Sequence, residues 1–260
     1  MDVVRRAIPI DTRAPGGRTN AYVVGCNPAI LVDPPARTDG LDELVQRRGV
    51  EHVLVTHTHP DHVGGVEAYA TDPDRTVWSL VGHAERFASA TGVDPHDVVE
   101  DGDRIELGGG AVRVVSVPGH APDHAALVVE VGGPILCGDC AVRDGSVVVG
   151  GDGADMRAYL DSLARLRDLD PPTLLPGHGP PIDRPDATLE HLIEHRLERE
   201  RRVRAAVHEG ARTPAEVVAT SYEKDLSGVE ELALTTVVAH LEKLDADGDL
   251  SFDGERVVPE

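Results

Sequence analysis

The chain has 260 residues, 46 acidic and 25 basic, for a formal net charge of -21 at pH 7, and only 3% of its residues are aromatic. That length suffices for one large core and a small second domain, while the acidic surplus removes the nonspecific attraction to phosphate on which basic nucleic-acid binders rely. No run approaches a membrane span, no apolar stretch of signal-peptide length follows Met-Asp-Val-Val-Arg-Arg, and Cys26, Cys137 and Cys140 cannot close a disulfide framework, so a cytoplasmic protein is expected. The acidity fits a host with a salty cytoplasm, where a carboxylate-rich surface stays hydrated; a GC-rich genome is the blander source.

In chain order, Ala21 to Val24 and Ile30 to Asp33 read as strands around a turn at Gly25 to Pro28, and Gly40 to Gln46 carries helical spacing. His52 to Val55 reads as a buried strand, and Gly64-Gly65 lets the backbone pass close to the residues before it as a helix begins. Val77 to Ser79, Ile105 to Leu107, Val112 to Val117, Ala125 to Val131 and Val147 to Val149 read as strands, and Ala154 to Leu166 as an amphipathic helix. After His178 the pattern becomes helical: about Ala187 to Glu209, a second helix from the capping box Thr213-Pro-Ala-Glu216, and a third from about Val229 to Leu244. Leu250 to Phe252 and Arg256 to Val258 flank Asp253-Gly254, a hairpin signal. The expectation is an α/β domain over 1–185 and a helical, winged-helix-like domain over 186–260.

The chemistry concentrates in His57-Thr-His59-Pro-Asp61-His62, which places four potential metal ligands in six residues. A loop leaving a strand at Val55 can turn His57 and His59 to one side and Asp61 and His62 to the other, which suits two adjacent metal ions. Imidazole and carboxylate together fit zinc in open, low-coordinate sites. Three later elements support the reading. His120 in Pro118-Gly119-His120 completes a His57/His59/His120 set, Asp139 after Gly138 can bridge both ions, and His178 in Pro176-Gly-His178-Gly joins Asp61 and His62. Each follows a short β-like run and sits beside a glycine. Cys137-Gly-Asp-Cys140 has redox-like spacing, but Asp139 is needed at the metal.

With these seven positions filled, the chain over about residues 18 to 180 resembles the metallo-β-lactamase superfamily. The resemblance implies an αββα sandwich with a dinuclear site at the edge between two sheets, holding two zinc ions, or iron or manganese, and a bridging hydroxide as nucleophile. His59 stands where oxygen-reducing diiron relatives have Glu, and Asp139 bridges where zinc β-lactamases use no carboxylate; both features imply a hydrolase outside the antibiotic-resistance group. Asp61 is the candidate catalytic residue, orienting the attacking water. Asp33 and His124 are candidates to support ligand histidines, although Asp123-His124 also reads as the start of the next strand.

The tail narrows the resemblance. His195-Arg196, the Glu/Arg-rich helix, Thr19-Asn20-Ala21-Tyr22 and the winged-helix-like end are similar to the β-lactamase-like endoribonuclease group, which implies single-stranded RNA as substrate. Arg196, Arg199, Arg201, Arg202 and Arg204 could line up for phosphate, or could form a salt-bridged solvated helix with the glutamates between them. The alternative substrate is a small thioester or lactone, as for glyoxalase II, which shares the ligand set and His120-Ala-Pro-Asp-His124. A non-catalytic nucleic-acid or protein-binding module is the third class, disfavoured by the complete ligand set.

Overall fold

A computed structural model describes residues 1–14, 16–151, 153–222 and 226–260. Strands β1 (Val3–Pro9), β2 (Arg18–Gly25) and β3 (Ala29–Val32) form an antiparallel meander. It continues in parallel through β4 (Val50–Leu54), β5 (Thr76–Leu80) and β6 (Asp97–Val99), giving a six-stranded sheet in chain order. Its crossovers carry α1 (Asp39–Arg48), the short α2 (Pro60–Val63) and α3 (Val66–Ala70), and α4 (Ala84–Thr91). The second sheet, ordered β11-β10-β9-β8-β7, comprises β7 (Arg104–Leu107), β8 (Gly110–Ser116), β9 (Ala125–Val129), β10 (Ile135–Gly138) and β11 (Leu174–Pro176). Only β10 and β11 run parallel there, joined through α5 (Met156–Asp168).

Alternation along the strands explains the layering. Tyr22 and Val24 of β2 face one way and pack with Ile30, Leu54, Val112, Val114, Leu127 and Leu136 between the sheets. Ala21 and Val23 face the other way and pack under α1 with Leu41 and Leu44. Val115 and Ala126 turn outward against Tyr159, Leu163 and Leu166 of α5. Because β2 and β3 are covered on both faces, they read as continuous apolar runs. The result is an α/β sandwich of two mixed sheets between helical layers.

The tail consists of α6 (Pro185–His208), α7 (Pro214–Ser221), α8 (Glu230–Asp247) and the hairpin β12 (Leu250–Phe252) with β13 (Val257–Pro259). Thr213 and Glu216 form both halves of the capping box read in the sequence. Val203, Val207, Val217, Val237, Leu241, Leu250 and Val257 make a separate small core. The start of α6 belongs elsewhere, since Leu189 and Leu192 pack with α5 on the second sheet. No helix among the described residues is long and apolar enough to cross a membrane.

Four local expectations need correction. The outer strands β1 and β6 and helix α4 were not expected; β1 carries exposed Arg5 and Arg6, as edge strands tolerate charge that interior strands do not. Val147 to Val149 is no strand but a largely buried loop, whose Val147 and Val148 carbonyls are taken by the side chains of Arg196 and His120. Gly64-Gly65 does not make room beside the ligands. A Cβ on either would instead strike the backbone of the Pro34-Pro35 loop, at 2.5 Å from Pro35 O and 2.9 Å from Pro34 O. The second strand of the terminal hairpin lies one residue later than read.

Candidate metal centre

The loops leaving β4, β8, β10 and β11 converge at one end of the sandwich. His57 and His59 lie between β4 and α2, Asp61 and His62 in α2, His120 after β8, Asp139 after β10 and His178 after β11. The structure brings together all seven residues singled out from the sequence. Three overlapping sets, His57/His59/His120, His57/His62/Asp139 and Asp61/His62/His178, each keep their ligand atoms within 4.8 Å of one another. Asp139 joins the two halves: its carboxylate lies 3.7 Å from His120 Nε2, 3.3 Å from His178 Nε2 and 3.6 Å from His62 Nε2.

Hydrogen bonds behind the rings fix which nitrogens point inward. The Thr56 hydroxyl donates to Asp33 Oδ2 at 2.8 Å, so His57 Nδ1, 3.1 Å from Thr56 Oγ1, is the donor there and Nε2 keeps its lone pair. His120 Nδ1 donates to Val148 O and His178 Nδ1 to Arg18 O, both at 2.8 Å. His62 Nδ1 faces Asp33 Oδ2 at 3.1 Å, and its Nε2, like Asp139 Oδ1, is buried with no hydrogen-bond partner. His57 Nε2 and His120 Nε2 both crowd His59 Nδ1, at 3.0 and 2.9 Å. Converging lone pairs and unpartnered buried acceptors are what cations satisfy, so the residues fit two metal ions with N and O ligands.

The titration pattern divides the site. Burial holds His57 and His120 below the ordinary imidazole value and His59 at about 4, so one half is already neutral. Burial, the largest single influence, disfavours charge on His62 and His178 too, but the carboxylates together outweigh it, Asp139 with Asp33 at His62 and Asp139 with Asp61 at His178. His62 is lifted well above its usual value and His178 to about 10. Burial likewise opposes ionisation of Asp139, yet His62 and His178 hold it well below the carboxylate range.

At pH 7 the metal-free protein therefore carries protons on His62 and His178, and metal loading should expel about two of them. Below about pH 10 the affinity of that half should fall as the pH falls, about tenfold per unit for the proton displaced from His178 and further for that from His62, while the His57/His59/His120 half responds less. Metal titration in weak buffer with a pH readout checks this; no proton release would mean that both imidazoles were already neutral.

Further residues hold the ligands in place. Asp33, buried after β3, accepts from Thr56 N at 2.6 Å as well as from the Thr56 hydroxyl, and faces His62. Asp33→Ala should weaken metal binding and turnover by about 10- to 100-fold, read by competition with a chelator; wild-type affinity would remove it from this role. His124 both precedes β9 and supports the site: it stacks on His57 at 4.8 Å, and its Nε2 accepts from Asp139 N at 3.0 Å. Thr12, which sequence reasoning passed over, donates to Asp61 Oδ2 at 2.6 Å. Asn20 and Tyr22 of the Thr19-Asn-Ala-Tyr22 segment clamp the His178 loop, both donating to Pro176 O and Asn20 also to Gly179 O.

The centre opens into a cavity of about 930 Å³ between residues 11–14 and 16, the 142–148 loop, Gly179-Pro180 and Leu232 of α8. Its two arginines face carboxylates, Arg13 pairing with Glu231 at 3.2 Å and Arg143 with Asp144 at 3.4 Å. The arginines of α6 are also engaged internally. Arg196 and Arg199 lie over the rings of Tyr159 and Tyr222, Arg201 and Arg202 pair with Glu198, and Arg204 pairs with Asp249. The contacts follow the salt-bridged reading at Arg201, Arg202 and Arg204, whereas Arg196, 2% exposed, and Arg199 pack on tyrosine rings instead.

A family model described as the metallo-beta-lactamase superfamily matches residues 14–178. A "Beta-lactamase-like protein 2 homolog" of Caenorhabditis elegans is 30% identical over 239 residues, covering 88% of this chain and 79% of that one. An "Atrochrysone carboxyl ACP thioesterase" of Emericella nidulans is 26% identical over 261 residues, covering 95% and 81%. Among solved structures, a metallo-beta-lactamase family protein from Thermus thermophilus superposes with a TM-score of 0.79 at 24% identity, over 99% of this chain and 98% of that one. A shorter protein crystallised in a di-iron-bound form is 32% identical, with a TM-score of 0.53, over 73% of this chain and 97% of its own.

Proposed function

The chain belongs to the metallo-beta-lactamase superfamily and is a metal-dependent hydrolase, and from that premise we propose that it cleaves a thioester, using two zinc ions held by the seven clustered residues. The observation that carries this reading is the cavity over the centre. Its walls include Ala14, Val142, Val147, Val148, Pro180 and Leu232, and its two arginines are paired with carboxylates. Such walls suit an apolar acyl arm. The thioesterase-named relative supports the same substrate class. Zinc is favoured by the mixed imidazole and carboxylate donors, and the di-iron neighbour makes iron the alternative to include.

His57, His59 and His120 would hold one ion, Asp61, His62 and His178 the other, with Asp139 between them. When bound, such ions lower the pKa of water and polarise a carbonyl. Asp61, partly open to the cavity and held by Thr12, is placed to orient the attacking water by accepting a hydrogen bond from it. Once the seven residues are assigned, the ionisable side chains left in the cavity among the described residues are Asp11, Arg13, Arg143 and Asp144, residue types unsuited to donating a proton near neutrality. A thiolate leaves without a donated proton far more readily than the alkoxide released from RNA, because a thiol has a pKa of about 8.5.

Cleavage of single-stranded RNA is the second reading. One observation favours it: α8 of the C-terminal unit reaches the cavity mouth through Leu232. The internal engagement of the α6 arginines and the net charge of -21 weigh against it. The experiment offers zinc-loaded and iron-loaded protein a series of acyl thioesters and, separately, a labelled unstructured RNA at several salt concentrations. Metal-dependent thioester turnover with intact RNA supports the proposal. RNA cleavage without thioester turnover overturns it in favour of the nuclease.

A further inference from the structure

We propose that Arg196 of α6, outside the segment matched by the family model, is a positioning residue for the metal centre. This rests on the metal-centre half of the function proposed above. Arg196 is buried, 2% exposed, and its Nη2 donates to Val147 O. The next carbonyl, Val148 O, accepts the Nδ1 proton of His120 at 2.8 Å and so sets which nitrogen that ring turns to the centre. The guanidinium also lies 5.6 Å from the centroid of the Tyr159 ring, whose hydroxyl donates to Cys140 O at 2.8 Å, one residue past Asp139. Arg196 thus stands behind the segments presenting both His120 and Asp139.

Stability alone does not account for this charge. A buried guanidinium loses its hydration, and here the return is one carbonyl and the side chain of Tyr159, with Nε left unpartnered. An unbranched apolar side chain would fill the same space without that cost. What it would lose is the hold on the Val147 carbonyl, next to the Val148 carbonyl on which the orientation of His120 depends.

The test compares Arg196→Met with wild type and with Arg199→Met, whose guanidinium lies 3.7 Å from the Tyr222 ring centroid and donates to Ser221 O, away from the centre. Zinc affinity and stoichiometry are measured by chelator competition, alongside the melting temperature of each metal-free protein. Arg196→Met should bind zinc about tenfold or more weakly while melting within about 3 °C of wild type, and Arg199→Met should keep wild-type affinity. Wild-type affinity in Arg196→Met, or equal weakening in Arg199→Met, overturns the proposal. If Arg196→Met does not fold, Arg196→Lys decides, since its shorter reach to Val147 O predicts severalfold weaker binding at unchanged melting temperature; wild-type affinity overturns the proposal there too. Failure of wild type itself to bind zinc or iron would instead remove the metal-centre reading.

Discussion

An Asp139→Ala protein is expected to fold, to hold one metal equivalent where the native chain holds two, and to lose hydrolysis by about a thousandfold or more. Asp139 is the carboxylate that faces both halves of the site, 3.7 Å from His120 Nε2 on one side and 3.3 Å from His178 Nε2 on the other. Asp61, by contrast, faces one ligand histidine, His178, at 3.3 Å. Removing Asp139 also takes away a carboxylate that faces both His62 and His178, leaving Asp61 as the one carboxylate in their ligand set, so that half should empty first. Metal analysis beside turnover checks the result. Activity within tenfold of wild type would mean that no bridging carboxylate is needed.

Gly119→Ala is expected to destabilise the metal-free fold by about 4 kcal/mol or more. Gly119 has φ +125°, a conformation that side chains strain to adopt, and a Cβ there would lie 2.2 Å from the backbone nitrogen of Tyr159 and 2.4 Å from its Cα. Those atoms belong to the start of α5, where Gly119 O also accepts from Asp155 N at 2.9 Å, so neither side can yield cheaply. The loop displaced is the one that presents His120. Urea unfolding of the metal-free protein measures the loss; less than about 1 kcal/mol would contradict so close an approach.

The seven clustered residues were legible in the sequence because a metal centre needs many donors in little space: four stand within six residues after β4, and His120, Asp139 and His178 each follow a strand beside a glycine. Asp33 was legible for a similar reason, as the residue ending β3 beside the strand that leads to His57. What lay hidden depends on distance along the chain. Nothing near Thr12 announces that it will hold Asp61, 49 residues away, and nothing near Arg196 announces a carbonyl at Val147. The Val147 to Val149 run misleads for the same reason: three valines favour a strand by pattern, but side chains from elsewhere take the carbonyls that a neighbouring strand would have taken. Edge strands β1 and β6 escaped because their exposed positions blur the apolar pattern. The substrate was least legible, because the cavity over the centre is lined by residues 11–14 and 16, the 142–148 loop and Leu232, positions with no motif of their own.

The most direct test of the account is metal content and thioester turnover measured on the same preparation, before chelation, after it, and after stepwise return of zinc. Two equivalents of metal per chain, turnover abolished by chelation and restored as the second equivalent returns, is the result the site predicts. Less than one equivalent at saturation, or turnover that survives removal of the metal, would contradict it.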